Sequence, residues 1–184
     1  MEISYLTSTL KQFEYYKSLG DKTISQLTFD ELKYEFVEDS NSIAIIVKHI
    51  VGNMLSRWTN FLTEDGEKKW RHRDSEFEDT FQNREALLAY WNKGWDCLLN
   101  AIKPLNSADL ERIIYIRNQG HTVTEAINRQ LAHYAYHIGQ LVFLGKLSKG
   151  KKWKSLSIPK GESVTYNTEK FDKEKGRRHF TDDL

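Results

Sequence analysis

Two histidines stand four residues apart, a spacing that can bring both imidazoles to one metal ion. His133 and His137 lie in a segment with helical periodicity, where four steps of 100° place them about 40° and one turn apart. Imidazoles at that spacing can converge on a shared ion. Residues 134–136 contain no glutamate, which excludes the His-Glu-x-x-His arrangement of zinc proteases.

A third histidine holds an equivalent place on another predicted helix. His49 lies at the edge of an apolar face, as His133 and His137 do on theirs. If the two helices pack as neighbours, three nitrogens can converge and leave coordination positions open, as a catalytic metal requires. Alternatively, they are core or boundary histidines, since a chain with six histidines contains such a pair by chance. The remaining three are predicted to be solvated: His72, His121 and His179.

Arg57 is the candidate for a charge that faces a substrate. It lies about 80° from His49 around the same predicted helix, among apolar neighbours. A guanidinium there can bind a carboxylate or phosphate through two hydrogen bonds. The alternative is a structural ion pair with the following loop, through Asp74 or Glu76.

Four further polar or reactive residues lie near these positions. Asn53, one turn beyond His49, can orient a ligand or water, or make a polar contact in the core. Gln130 and Gln140 flank the histidine pair and can support its rings, although exposure to solvent explains them equally well. Cys97 is interpreted as a core residue rather than a nucleophile.

The apolar pattern predicts an all-α protein in which four main helices position these residues. Apolar side chains recur at steps of three and four over about residues 3–19, 43–61, 83–103 and 122–147. Ser42 can cap the second helix, and Thr122 with Glu125 forms a capping box for the fourth. A short helical turn is predicted after Thr28, a long loop between helices 2 and 3, and a short extended segment before helix 4.

The charge distribution divides the chain. Residues 146–184 hold 11 Lys and Arg against 6 Asp and Glu, whereas the whole chain has a net charge of +1. We predict a helical domain over residues 1–147, a docked segment over 148–163 and a polar, mobile tail over 164–184. Basic residues around Trp153 can bind nucleic acid, but such charge runs are usually solvated.

Composition excludes several classes of protein. A balanced charge excludes a protein that is basic throughout, and no apolar run reaches the roughly 18 residues of a membrane span. Cys97 is the only cysteine, which excludes an internal disulfide and a multi-cysteine zinc site. The first residues lack the pattern of a signal peptide, so we expect a cytoplasmic protein.

Several motifs together resemble the DinB-like superfamily of metalloenzymes and, within it, a bacterial family of unknown function. The similarity covers about residues 1–163. It is carried by Ser40–Ala44 before His49 and Asn53, and by residues 56–62, 65–68, 73–77, 121–127, 129–140 and 153–159.

The resemblance implies a four-helix bundle of the DinB-like type, often dimeric, with one divalent metal held by three histidines. Carried over to this chain, those ligands are His49, His133 and His137. Characterised relatives include transferases and isomerases that use low-molecular-weight thiols such as mycothiol or bacillithiol. The resemblance supplies no specific reaction.

The leading hypothesis is therefore a metal-dependent thiol transferase or hydrolase with a small-molecule substrate, in which Asn53 and Arg57 contact the substrate. A low-molecular-weight thiol is a candidate cosubstrate, and the imidazole ligands do not distinguish zinc, nickel, iron and manganese. The alternative is a non-catalytic metal-binding or dimeric interaction bundle. A fourth protein ligand would favour that alternative. We expect a homodimer that contacts no membrane, and nucleic acid is disfavoured as a partner.

Overall fold

The computed structural model describes residues 4–182 and is mostly helical. Within those residues there are six α-helices and one two-stranded sheet. In chain order they are α1 (Ser4–Ser25), α2 (Phe29–Lys33), α3 (Ile43–Trp58), α4 (Arg84–Ile102), β1 (Ile113–Ile116), β2 (Gln119–Thr122), α5 (Val123–Lys149) and α6 (Ser163–Phe171). Short 3-10 turns occur at Asp74–Phe77, Ser107–Asp109 and Gly150–Lys152.

The four longest helices enclose one core. α3 packs on α4 and α5, and α1 packs on the same two helices. Their facing side chains bury a cluster of aromatic and aliphatic residues that includes Phe13, Met54, Trp91, Trp95 and Tyr134. The four predicted main helices are thus present. No helix within residues 4–182 combines the length and apolar character needed to cross a bilayer.

Three helix starts follow the predicted capping chemistry. The Ser42 side chain accepts a hydrogen bond from the Ile45 amide at the start of α3. Thr122 and Glu125 form a reciprocal capping box at the start of α5, and Thr28 opens α2 in the same way. These side chains satisfy amide groups that the first turn leaves unpaired.

α1 continues past Gly20, where the sequence predicted its end; the predicted start at Ile3 lies outside the described residues. A side chain at Gly20 would collide with the ring of Trp91. The indole nitrogen of Trp91 also donates to Asp21 at 2.6 Å. The glycine therefore allows close packing between α1 and α4 rather than ending the helix, which runs to Ser25.

α3 ends at Trp58, earlier than the predicted extension through Phe61. Asn60 adopts a left-handed conformation with a φ of 48°, which interrupts helical hydrogen bonding. Asn60 then accepts from Glu64 through its carbonyl and donates to Glu64 through its side chain. The loop to α4 is consequently longer than predicted, and its 3-10 turn packs on α3.

A small antiparallel hairpin adds strand pairing to the predicted all-α fold with its one short extended segment. The predicted extended segment forms β1, and β2 pairs with it through a two-residue turn at Arg117 and Asn118. Both turn residues have positive φ, 56° and 60°, as the twist of a tight hairpin requires. The hairpin is docked on the long loop, because the Gly66 amide donates to the Tyr115 carbonyl at 2.8 Å.

The chain beyond α5 folds back on α1. The backbone of Lys154 forms two hydrogen bonds with the Gln26 side chain. Farther on, His179 lies 3.0 Å from Ser8, and Lys11 forms an ion pair with Asp182. α6 lies within the segment predicted to be mobile; the domain boundaries and that mobility stay predictions.

Candidate metal centre

α3 and α5 bring the three predicted histidines together. One ring nitrogen from each of His49, His133 and His137 lies within 4.8 Å of the other two. The Nε2 atoms of His133 and His137 are 3.1 Å apart. The His49 ring centroid lies 5.0 Å from that of His137 and 5.7 Å from that of His133. The expectation that the two helices are neighbours is confirmed.

Glutamine side chains orient both histidines of α5. The Nδ1 atom of His137 lies 2.7 Å from Oε1 of Gln140, and that of His133 lies 3.4 Å from Oε1 of Gln130. An amide oxygen accepts hydrogen bonds, so these contacts favour the tautomer in which Nδ1 carries the proton and Nε2 carries a lone pair. These are the supporting contacts that the sequence suggested for Gln130 and Gln140.

A buried carboxylate orients the third histidine. Oε2 of Glu76 lies 3.0 Å from Nδ1 of His49, and Arg71 donates to the same carboxylate at 2.7 and 2.9 Å. Burial alone would raise the pKa of Glu76, but hydrogen bonds from His49 and Arg71 outweigh it and lower that pKa. An ionised Glu76 holds the Nδ1 proton of His49 and leaves Nε2 free as a ligand.

Gly52 makes room for this carboxylate. A Cβ atom at Gly52 would overlap the carboxyl group of Glu76, which is only 5% exposed. The glycine lies in the interior of α3, where it costs helix stability relative to alanine. The close approach of the loop to the helix explains why a glycine stands there.

The cluster favours neutral imidazoles. Burial, followed by the neighbouring His137 and His49, lowers the pKa of His133 to about 3. Burial is also the main cause of the lowered pKa of His137. Neutral imidazole is the form that binds a metal ion.

The donor set fits a divalent ion. With the Nδ1 protons directed to glutamine and glutamate, the facing Nε2 lone pairs of His133 and His137 need a proton or a cation between them. Among residues 4–182, the three histidines form a possible metal-ligating group that no further histidine, cysteine, aspartate or glutamate joins. Three imidazoles without a fourth protein ligand are typical of catalytic sites.

Asn53 belongs to a buried polar chain beside the histidines. The indole nitrogen of Trp58 donates to the hydroxyl of Tyr134 at 3.1 Å, and that hydroxyl donates to Oδ1 of Asn53 at 3.0 Å. Burial raises the pKa of Tyr134 far above its ordinary value, so the phenol keeps its proton. Asn53 also lines a cavity of about 220 Å³ with His49 and His133, here called the histidine cavity.

Arg57 lines the histidine cavity and also pairs with the long loop. It donates to the Gly66 carbonyl and lies 3.0 Å from Glu67, whereas the predicted loop partners were Asp74 and Glu76. Ser56 fixes the same loop segment by donating to Gly66 at 2.8 Å and accepting from the Lys68 amide. The structure therefore contains the loop contact proposed for Arg57 and leaves its contact with a substrate as a prediction.

The other candidate residues lie apart from the centre. Cys97 is half-buried, with its sulfur 3.6 Å from the Thr59 hydroxyl. His72 is exposed, and His179 contacts Ser8 near the chain end. His121 lies in β2 with a buried Nε2 atom that has no partner among the described residues, so its ring is less solvated than predicted.

Sequence reasoning missed the role of the long loop in the site. Glu76 was considered only as a partner of Arg57, and Arg71 and Glu67 were not singled out. No helical spacing connects Glu76 to His49, 27 residues earlier. The available signal was Gly52, an interior helix glycine one turn from the histidine, which indicates that another segment approaches closely.

Fold and site together define a mostly helical protein with a three-histidine cluster able to hold a metal ion. The chain belongs to the family described as protein of unknown function (DUF1572), whose profile matches residues 1–162. The match covers all three histidines and the loop that supports them, and it ends shortly before α6. No curated protein matches the chain.

Proposed function

We propose that the protein is a metal-dependent enzyme of the DinB-like type, a four-helix bundle whose divalent ion is held by His49, His133 and His137. The observation that carries the proposal is the convergence of three ring nitrogens within 4.8 Å of one another. All three rings are oriented through Nδ1 by a side-chain oxygen. Such support is the usual environment of metal-bound imidazole.

A divalent ion held by three neutral imidazoles keeps most of its charge and lowers the pKa of a bound water or thiol. The residues of this chain orient the ligands, exclude bulk water and line the cavity in which a substrate binds. Asn53 and Arg57 are the proposed substrate contacts, since both line the histidine cavity. A small thiol as cosubstrate is supported by the resemblance to the superfamily.

Metal content tests this proposal directly. Untagged protein should contain about one divalent ion per chain by inductively coupled plasma mass spectrometry, and His49→Ala and His137→Ala should both lose it. His72→Ala is the matched control, because His72 is exposed and lies outside the cluster. Protein that binds neither zinc, nickel, manganese nor ferrous iron would overturn the metalloenzyme proposal.

The second candidate is a non-catalytic ion that links two helices. It is favoured by one observation: the ligands come from both α3 and α5, so an ion would cross-link the core. A structural ion would exchange no ligand with solvent. Substitution with cobalt would then give a spectrum that thiols do not change, whereas an open site would respond to an added thiol.

We also propose that two chains form a homodimer. Tyr136, Phe143 and Leu147 are exposed on one side of α5, and dimer interfaces bury aromatic and aliphatic side chains of this type. Light scattering should give the mass of two chains, and Phe143→Glu should reduce it to that of one. Val164→Glu, on the exposed face of α6, is the matched control. A cytoplasmic location and the absence of nucleic-acid and membrane partners stay predictions.

A further inference from the structure

The histidine cavity has a strongly biased lining. Five arginines surround it, namely Arg57, Arg71, Arg73, Arg117 and Arg129, together with His49, His133 and two amide side chains. No carboxylate is among the described residues that line it. The lining therefore concentrates positive charge beside the candidate metal centre, and the question is what this charge binds.

Two carboxylates outside the lining neutralise part of this charge. Oε2 of Glu67 is shared by three guanidinium groups, from Arg57 at 3.0 Å, Arg117 at 3.1 Å and Arg71 at 3.5 Å. Glu76 pairs with Arg71 and His49. Five arginines against two carboxylates leave a surplus of three positive charges, and a divalent ion would increase it.

Arg57 carries an unused donor. Its residue is 6% exposed, and its buried Nε atom has no hydrogen-bond partner among the described residues. A buried, unpaired guanidinium N–H is costly unless a ligand supplies an acceptor. Asn53 adds a second donor, because its oxygen already accepts from Tyr134 and its amide nitrogen has no hydrogen-bond partner within residues 4–182.

Of the three exposed arginines that line the cavity, Arg117 has a carboxylate partner, Glu67, whereas Arg73 and Arg129 have none among the described residues. Arg117 is 55% exposed in its side chain and stands at the hairpin turn in a left-handed conformation. Asp65 fixes that turn by accepting from the amides of Arg117 and Asn118 at 2.9 and 2.8 Å. Arg73 stacks on Phe77 at 5.2 Å, and neither Arg73 nor Arg129 forms an ion pair within residues 4–182. Because Arg73 and Arg129 form no ion pair there, stabilisation of the long loop by ion pairs does not explain these two arginines.

We propose that the histidine cavity binds a doubly charged oxyanion, a phosphate or a pair of carboxylates, as the anionic part of the substrate. Its role as a substrate group rests on the metal-dependent function proposed above. Arginine suits both chemistries, because its fork of N–H donors matches carboxylate and phosphate oxygens. At about 220 Å³, the cavity is smaller than the roughly 300–1,000 Å³ of drug-sized sites. It therefore fits a small substrate or the charged end of a larger one.

Calorimetric titration of metal-free and zinc-loaded protein tests the proposal. The probes are inorganic phosphate and succinate, with uncharged succinamide as the negative control. We expect saturable binding of phosphate, succinate or both to the metal-free protein, and none of succinamide. Binding of phosphate alone or of succinate alone identifies the oxyanion that the cavity accepts, and either result supports the proposal.

Two exposed arginines provide the decisive variants, because replacement of buried Arg57 risks unfolding. The double variant Arg117→Gln/Arg129→Gln should bind the anion at least about tenfold more weakly than wild type. The control Arg112→Gln/Lys154→Gln removes the same charge from side chains that do not line the cavity and should keep wild-type affinity. An equal loss of anion affinity in both double variants would overturn the proposed site, because the loss would then follow from the net charge of the protein alone.

The two proposals fail separately. Protein that binds zinc but neither phosphate nor succinate, with or without the metal, overturns the anion site and leaves the metal centre intact. Protein that binds an oxyanion through Arg117 and Arg129 but takes up no divalent metal supports the anion site and overturns the metal-dependent function.

Discussion

The histidine cavity and a larger cavity near the chain end differ in how their side chains are held. The larger one, about 810 Å³, lies between the start of α1 and residues 177–182 and is called the tail cavity below. It contains His179, Lys11 and Asp182, whose contacts are exposed or half-buried. At the histidine cluster, by contrast, a side-chain oxygen contacts the Nδ1 atom of each imidazole, from buried Glu76 and Gln130 and from half-buried Gln140.

The comparison shows that volume is a poor guide to function here. The tail cavity is larger, but the side chains that contact its imidazole, amine and carboxylate are exposed or half-buried. At the histidine cluster, Glu76, Gln130 and Gln140 each contact one ring through its Nδ1 atom. Preorganised groups lose little free energy to ordering when a ligand binds, so chemistry is expected in the smaller cavity.

The largest difference between the cavities should appear on adding metal. Zinc at about 100 times its Kd should stabilise wild type by about 2.7 kcal/mol, a rise in Tm of about 5–10 °C for a domain of this size. His133→Ala should abolish that rise, because it removes one of three ligands. His179→Ala, in the tail cavity, should keep it. Differential scanning calorimetry measures both, and equal behaviour of the two variants would remove the distinction.

The support of His49 should matter next. Glu76→Gln keeps the shape of the side chain but removes the charge that holds the Nδ1 proton of His49 and pairs with Arg71. Zinc affinity should fall about 10–100-fold, as measured by competition with a chelating dye. Asp182→Asn is the control in the tail cavity and should leave the affinity unchanged. An unchanged affinity in Glu76→Gln would show that the carboxylate only anchors the loop.

The helices and the histidine trio could be predicted because both depend on local rules. Apolar steps of three and four located the long helices, and Ser42 and Thr122 marked their starts, since capping depends on residues within one turn. His133 and His137 share a face by helix geometry alone. The equivalent place of His49 at the edge of another apolar face indicated the third ligand, and the resemblance to a family supported the same three residues.

The rest depends on contacts between segments far apart in the chain. Gly20 was interpreted as a helix end because its packing role requires Trp91, 71 residues later in the chain. Glu76 reaches His49 only after the long loop folds on α3, and Arg117 reaches Glu67 only after the hairpin docks on that loop. The turn at Arg117 and Asn118 carries no glycine, so the usual hairpin signal was absent.

Adding one methyl group at either of two helix glycines should have opposite effects on stability, because Gly52 lies against the site and Gly139 lies on open surface. Gly52→Ala should destabilise the fold by about 1–3 kcal/mol, because the new Cβ overlaps the buried Glu76 carboxyl group. Gly139→Ala places the same methyl group in open space on α5 and should instead stabilise by about 0.5–1 kcal/mol. Urea unfolding measures both. A loss of stability in both variants would contradict the packing role of Gly52.

The smallest effect concerns the carboxylate that holds the hairpin over the histidine cavity. Burial would raise the pKa of Asp65, but hydrogen bonds from the amides of Asn118, Glu67 and Arg117 outweigh it and lower that pKa. Because the pKa is lower in the folded than in the unfolded state, the stabilisation is complete above the unfolded value of about 3.9. It is lost as the pH falls through the folded value.

Asp65→Asn should therefore destabilise the protein at pH 7 by less than about 1 kcal/mol, since solvent screens a partly exposed carboxylate. The difference from wild type should shrink toward zero at a pH below the folded-state pKa of Asp65, itself lower than about 3.9, because the wild-type side chain is protonated there. Asp182→Asn, which loses an exposed ion pair with Lys11, should show no measurable change at pH 7. Urea unfolding at both pH values distinguishes the two sites. A pH-independent loss in Asp65→Asn would mean that the side chain acts through its shape, and that its charge does not hold Arg117 over the cavity.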